Sequence, residues 1–126
     1  LRFPSVRLDL FLLNSLQLVL RYLALDTAVV PTSRLYGNAD LSGEQRIIDI
    51  CQREGASDYI NPIGGVSLYQ RAHFEQHGIA LHFLHSRAVS YPQGKNQHIS
   101  GLSIVDVLMY NAPSTVQQLL KEKDLL

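Results

Sequence analysis

Three kinds of residue in this chain could do chemistry: glycines that let a backbone meet a ligand, polar side chains near them, and histidines at ligand spacing. The glycines are Gly64 and Gly65, inside the run ASDYINPIGGVSLY from Ala56 to Tyr69. That run reads as a short strand, a Pro-then-Gly-Gly break and a return to ordered structure near Ser67. Glycine lets the chain turn sharply and approach a ligand closely. Amides ahead of a helix start can cradle a phosphate or carboxylate, with about 0.3–1 kcal/mol per favourable charge from the helix end. The pair matches neither the dinucleotide fingerprint nor the P-loop, so a plain strand-to-helix turn is the competing reading. Arg46, early in a predicted helix, could reach a phosphate at the same sheet edge or simply be solvated. Ser33 could donate one hydrogen bond there, although loop serines mostly make turns. Tyr91 can stack and donate, and Gln93 can donate and accept. Asp106 lies among Leu102, Ile104, Val105, Leu108 and Met109. A carboxylate in that company pairs or titrates high, unless it is the polar stripe of an amphipathic helix.

His73 and His77 stand four apart on a predicted helix and share a face. Glu75 is out of register for the HExxH metalloprotease pattern, and no third ligand is evident, so no metal is assigned. His82 and His85, three apart on or near a strand, point to opposite faces. Cys51 falls on the inner face of its helix, where a buried inert thiol is the simpler reading than a nucleophile.

The elements that must position these residues follow from periodicity. Leu8 to Ala24 is a helix whose Leu8, Phe11, Leu12, Leu16, Val19, Leu20 and Leu23 form an apolar stripe. Leu10, Leu13 and Leu18 widen it, so the helix is buried on two sides or covered by a partner. Thr27 to Val30 reads as a first strand, closed by Pro31. Ser42 with Gln45 reads as a capping box opening a helix to about Glu54, and Gly55 stops it. Tyr59 to Asn61 is the second strand, Leu68 to His77 a helix, and Ile79 to Leu84 the third strand. Repeated strand–helix crossovers make parallel strands. Ligands of such sheets sit at the carboxyl ends of the strands. A loop from Arg87 to Gly101, a helix from Leu102 to Tyr110 broken by Pro113, and a last helix from Ser114 to about Lys123 complete the chain. The expected fold is one α/β domain over residues 1–126. It is a two- or three-layer Rossmann-like arrangement with a short, mostly parallel sheet of about three strands and flanking helices.

Composition sets outer limits. At 126 residues the chain can bury roughly two-thirds of its unfolded surface. Lys and Arg number 11, as do Asp and Glu, so the formal charge is zero and no basic footprint for nucleic acid exists. One cysteine excludes an internal disulfide and fits a reducing compartment. Polar interruptions at Asp9, Asn14, Gln17 and Arg21 argue against membrane insertion, and no signal-peptide cleavage site follows the apolar run.

Several stretches together resemble one family. They are Leu13-Asn14; Arg46 with Ile47-Ile48 and Ile50-Cys51; Gly55-Ala56; Tyr59-Ile60; Gly64-Gly65 with Tyr69, Phe74, Gly78-Ile79 and Phe83; Tyr91-Pro92-Gln93; and Leu102-Ser103-Ile104-Val105-Asp106 with Leu108. Order and spacing, from about residue 10 to 111, resemble the carboxyl-terminal portion of the WbqC-like protein family. The resemblance implies a bacterial, cytoplasmic protein of surface-polysaccharide (O-antigen) biosynthesis. Such a protein makes or modifies a sugar, with an activated amino-sugar or nucleotide-sugar as small-molecule partner and no cofactor. It draws Tyr69 and Ser103 into the candidate lining beside Ser33, Arg46, Gly64, Gly65, Tyr91 and Gln93, with Asp106 as base or hydrogen-bond anchor. Family members carry an amino-terminal half opening on a Gln-Pro motif, which nothing here matches, so the chain reads as a fragment or a short member. His98 stands where the family pattern usually has an aromatic, which bears on the packing of the Gln93–Ser103 loop. The rival expectation is a non-catalytic binding module that dimerises, or docks to a missing amino-terminal half, through its leucine-rich first helix.

Overall fold

A computed structural model of the chain describes residues 3–95 and 97–126. Leu1, Arg2 and, in the long loop, Asn96 lie outside the described residues. The chain divides into two compact units, Thr32–Arg87 with Lys123–Leu126, and Leu1–Pro31 with Ala88–Glu122.

The first of these is the α/β unit. Its helix α2 spans Gly43–Glu54 and ends where expected: Gly55 is left-handed (φ +65°), its N–H donates to Gln52 and the Ala56 N–H to Cys51. That pair of bonds is a Schellman stop, which only a residue free to take positive φ closes without strain. At the other end Ser42 occupies the N-cap, but its side chain makes no capping bond, so the Ser42–Gln45 capping box is not formed. Strands β1 (Asp58–Pro62) and β2 (Ala80–Ser86) pair in parallel, Asp58 opposite Ala80 through Pro62 opposite Leu84. Between them lie a 3-10 segment, Ile63–Leu68, and a short helix α3, Arg71–Glu75. The expected crossover helix, Leu68 to His77, is thus confined to its middle, Arg71–Glu75.

The sheet is small, open and mixed, in the order β1-β2-β3. Its third strand is β3, Lys123–Leu125, antiparallel to β2. It replaces the expected strand at Thr27–Val30, which is irregular and belongs to the other unit. β-propensity expresses fit to a pleated, half-buried surface, and Thr27, Ala28 and Val30 are exposed. The expected final helix consequently stops short. The core of this unit is Ile48, Cys51, Phe74, Ile79, Leu81 and Phe83, with Tyr59 and Tyr69 packed on it. Tyr59 stacks on Phe74 at 5.5 Å, and Tyr69 meets both rings edge-on at 5.9 Å.

The second unit is helical: α1 (Leu8–Tyr22), α4 (Ile104–Tyr110) and α5 (Pro113–Leu119). Pro113 opens α5 rather than merely ending α4, because a first-turn N–H has no intrahelical partner to lose. Leu23 and Val116 are buried, and the Gln117 amide donates to the Leu23 carbonyl at 2.6 Å, tying α5 to the end of α1. No residue of α1 itself is buried, and Leu8, Leu12 and Leu16 are 71%, 56% and 49% exposed. Of the two expectations for this helix, burial on two sides is therefore corrected, which leaves the covering partner. No helix among the described residues is long and apolar enough to cross a membrane.

Candidate functional site

The sequence-derived candidates fall into three hydrogen-bonded or packed groups. In the α/β unit, Arg46 projects from α2 and donates through Nε to Asn38 Oδ1 at 3.2 Å and through a terminal nitrogen to Ser33 Oγ at 3.4 Å. Ser33 and Arg46 are thus brought together, and the side chain that joins them is Asn38, only 3% exposed. Asn38 in turn donates to Asp49 Oδ2 at 2.6 Å, where Arg53 Nε also donates at 2.7 Å. The Arg53 guanidinium, then the Asn38 amide, hold the Asp49 carboxyl below its usual range.

The second group surrounds Gly65, which is buried in the 3-10 segment after β1. A Cβ there would lie 1.9 Å from Asn61 Nδ2 and 3.4 Å from the Tyr69 ring. Gly65 is therefore small because the Asn61 amide occupies the space a side chain would take. That amide donates to the Pro62 carbonyl at 2.9 Å, and its oxygen accepts from the Tyr59 hydroxyl at 3.1 Å. Burial, then the hydrogen bond with Tyr69, pushes the Tyr59 phenol up to about 12. Gly64, by contrast, has open space where its side chain would be.

The third group lies in the helical unit and is the most highly connected. Gln93 is buried and clamps the backbone of Ile99 from both sides: Nε2 donates to its carbonyl at 2.9 Å and Oε1 accepts its N–H at 2.7 Å. The same Nε2 reaches the Tyr91 hydroxyl at 3.2 Å and Asp106 Oδ2 at 3.1 Å. Tyr91, also buried, donates to Asp106 Oδ2 at 2.7 Å. That bond, with burial behind it, raises the Tyr91 phenol above its ordinary value, so it stays a proton donor at neutral pH. Ser103 caps α4, its Oγ accepting the Val105 N–H and its carbonyl the Asp106 N–H, which fixes Asp106 in the first turn. The result is a carboxylate with Oδ2 doubly engaged and no hydrogen bond at Oδ1 among the described residues. His98 meets Tyr91 edge-to-face at 5.4 Å, and its Nδ1 is buried without a hydrogen-bond partner among the described residues. It packs there as an aromatic ring would.

The matching family model covers residues 1–118 and is described as the WbqC-like protein family. The chain belongs to the WbqC-like protein family. Comparison with curated proteins and with solved structures finds no match. In this WbqC-like chain the paired histidines are otherwise employed. His73 Nδ1 faces Glu44 Oε2 at 2.7 Å and His77 Nδ1 faces the His73 carbonyl at 2.8 Å. No group of three or more metal-ligating side chains occurs among the described residues. Cys51 is buried and its thiol is pushed up by that burial, as an inert thiol is. Residues missed by sequence reasoning are Asn38, Glu44, Asp49 and Asn61. Asn38 follows Gly37 in what reads as an ordinary turn, and nothing local marks it as a buried hub.

Proposed function

We propose that this WbqC-like protein serves bacterial surface-polysaccharide (O-antigen) biosynthesis in the cytoplasm, where it binds or acts on an activated amino-sugar or nucleotide-sugar. One observation carries the reading: Oδ1 of Asp106, which accepts no hydrogen bond among the described residues, on a carboxylate oriented by Tyr91 and Gln93. An oriented acceptor of this kind suits a sugar hydroxyl or ammonium, and its basicity could assist removal of a proton from it. Membership of the family supports the sugar context. Within the α/β unit, Arg46 with Ser33 and the Gly64-Gly65 segment with Tyr69 are proposed phosphate contacts, taken separately from Asp106 in the helical unit. The Gly64-Gly65 segment directly follows β1, in the parallel β1–β2 pair to which the Rossmann-like reading applies. Thermal unfolding of the full chain with nucleotide-sugars, amino-sugars and simple phosphates tests this. A ligand at a hundredfold over its Kd adds about 2.7 kcal/mol of stability. A shift with one class that Asp106→Asn or Arg46→Ala abolishes is the expected result. No shift with any of them, or one that both variants leave intact, overturns it.

A second reading rests on the exposed Leu8, Leu12 and Leu16 row of α1. It takes the chain as a non-catalytic module that dimerises or docks through that helix. Sedimentation across concentration decides it: a strict monomer that Leu12→Glu leaves unchanged rejects dimerisation.

A further inference from the structure

At the end of α1 the chain folds back to form a cleft of about 370 Å³, within the helical unit. That size is in the range of small-molecule sites. Half-buried Leu20, Leu25 and Val29 give it an apolar wall. Arg21 and Asp26 line the same cleft. Among the described residues neither charge is engaged in a hydrogen bond or ion pair, and the two do not approach each other within the 4.0 Å of a salt bridge.

We propose that this cleft binds a free apolar α-amino acid as its zwitterion. Two opposite charges that share an opening and do not neutralise each other match a ligand that carries both on neighbouring atoms. The α-carboxylate meets the guanidinium, whose planar fork suits it in bidentate fashion. The α-ammonium faces the Asp26 carboxylate, and the Thr27 hydroxyl can take part from the same rim. The aliphatic side chain lies on Leu20, Leu25 and Val29. The lining also rejects: a plain anion meets Asp26, and a plain amine meets Arg21. Since both charged groups are exposed, the site is weak, with a Kd on the order of millimolar, and weakens further with salt. The bland account is that Arg21 merely complements the carboxyl end of α1 and Asp26 is solvated. The two accounts differ in what they predict for ligand charge. The inference does not rest on the proposed sugar function. It uses none of the same residues, and its probe carries neither sugar nor phosphate.

The test is an NMR titration of the full chain with L-leucine, 4-methylpentanoate (no ammonium) and 3-methylbutylamine (no carboxylate). Saturable shifts of the amides of residues 20–29 with L-leucine are expected, with both analogues weaker by about tenfold or more. Arg21→Gln and Asp26→Asn, both at exposed positions, should each weaken L-leucine by a similar factor while the spectrum stays that of the folded chain. Absence of saturable L-leucine binding overturns the proposal. So does equal binding of 4-methylpentanoate, which would mark a plain anion subsite, or an affinity that both variants leave unchanged.

Discussion

At the scale of single residues, the clearest lesson concerns Gly65. Read as sequence, a Gly-Gly pair after a strand could mean an anion cradle or a turn. The packing adds a specific reason for the second glycine: Asn61 Nδ2 sits where a Cβ would project. Gly65→Ala must rotate the Asn61 amide away, breaking its bonds to Tyr59 and Pro62. The expected loss is about 1–2 kcal/mol. In an Asn61→Ala background the same substitution meets no amide and should cost markedly less, so the double-mutant cycle is non-additive. Urea titration of the four proteins measures this; additive losses would mean that Asn61 is not what excludes the side chain. The sequence singles out Gly65 but neither Asn61 nor their contact, because the two are joined by a turn geometry that spacing does not encode. Tyr91, Gln93 and Asp106 were legible for the opposite reason. Each is a polar residue whose neighbours are apolar or turn-forming, and such residues find partners when buried.

At the scale of elements, α1, α2 and α4 lie near their expected bounds, while α3 and α5 are shorter than expected. α2 has an amphipathic face and a glycine stop, both local features. α3 has five residues and no side-chain cap of its own. Its first turn is held instead from α2: Glu44 Oε1 accepts the Gln70 N–H at 2.6 Å while Oε2 faces His73. A cap supplied by another helix leaves no mark at the capped segment, so the sequence placed the start of α3 too early. The same contact predicts a pH effect. The Gln70 N–H, then His73, holds the Glu44 carboxyl below its usual range. Its folded pKa being depressed, the stabilisation is fully present above the ordinary carboxylate range, near 4.3, and is lost as pH falls through the folded value. Glu44→Gln should therefore lower stability at pH 7 by about 1 kcal/mol. The gap between the two proteins should close on acidification below about pH 4. Denaturant midpoints at neutral and acid pH test this. A gap of constant size would show that the carboxylate charge is not what holds α3.

At the scale of the whole molecule, neither unit is continuous in sequence. The chain leaves the α/β unit after Arg87, builds α4 and α5, and returns at Lys123 to add β3. Three residues with no alternation, following a helix, carry no strand signal of their own. β3 exists because β2 offers an unpaired edge, and such an edge is a template for any extended segment that reaches it. The contact is specific. Phe83 and Leu126 exchange backbone bonds of 2.9 and 3.0 Å, and Arg87 pairs with Asp124. The matched family residues end at 118, so this closing strand lies past them. Deleting Lys123–Leu126 should leave β1–β2 pairing in place and cost at least about 2 kcal/mol, since the two Phe83–Leu126 bonds are lost together with the rest of the β2–β3 ladder. Hydrogen exchange separates the two edges of β2. The Phe83 amide, bonded to Leu126, should lose its protection, while the Ala80 amide, bonded to Ser57 on the β1 side at 2.8 Å, keeps most of its own. Equal protection of Phe83 in both chains would mean that the sheet does not depend on its last strand. Loss at Ala80 as well would mean that the α/β unit folds only when the returning segment closes it.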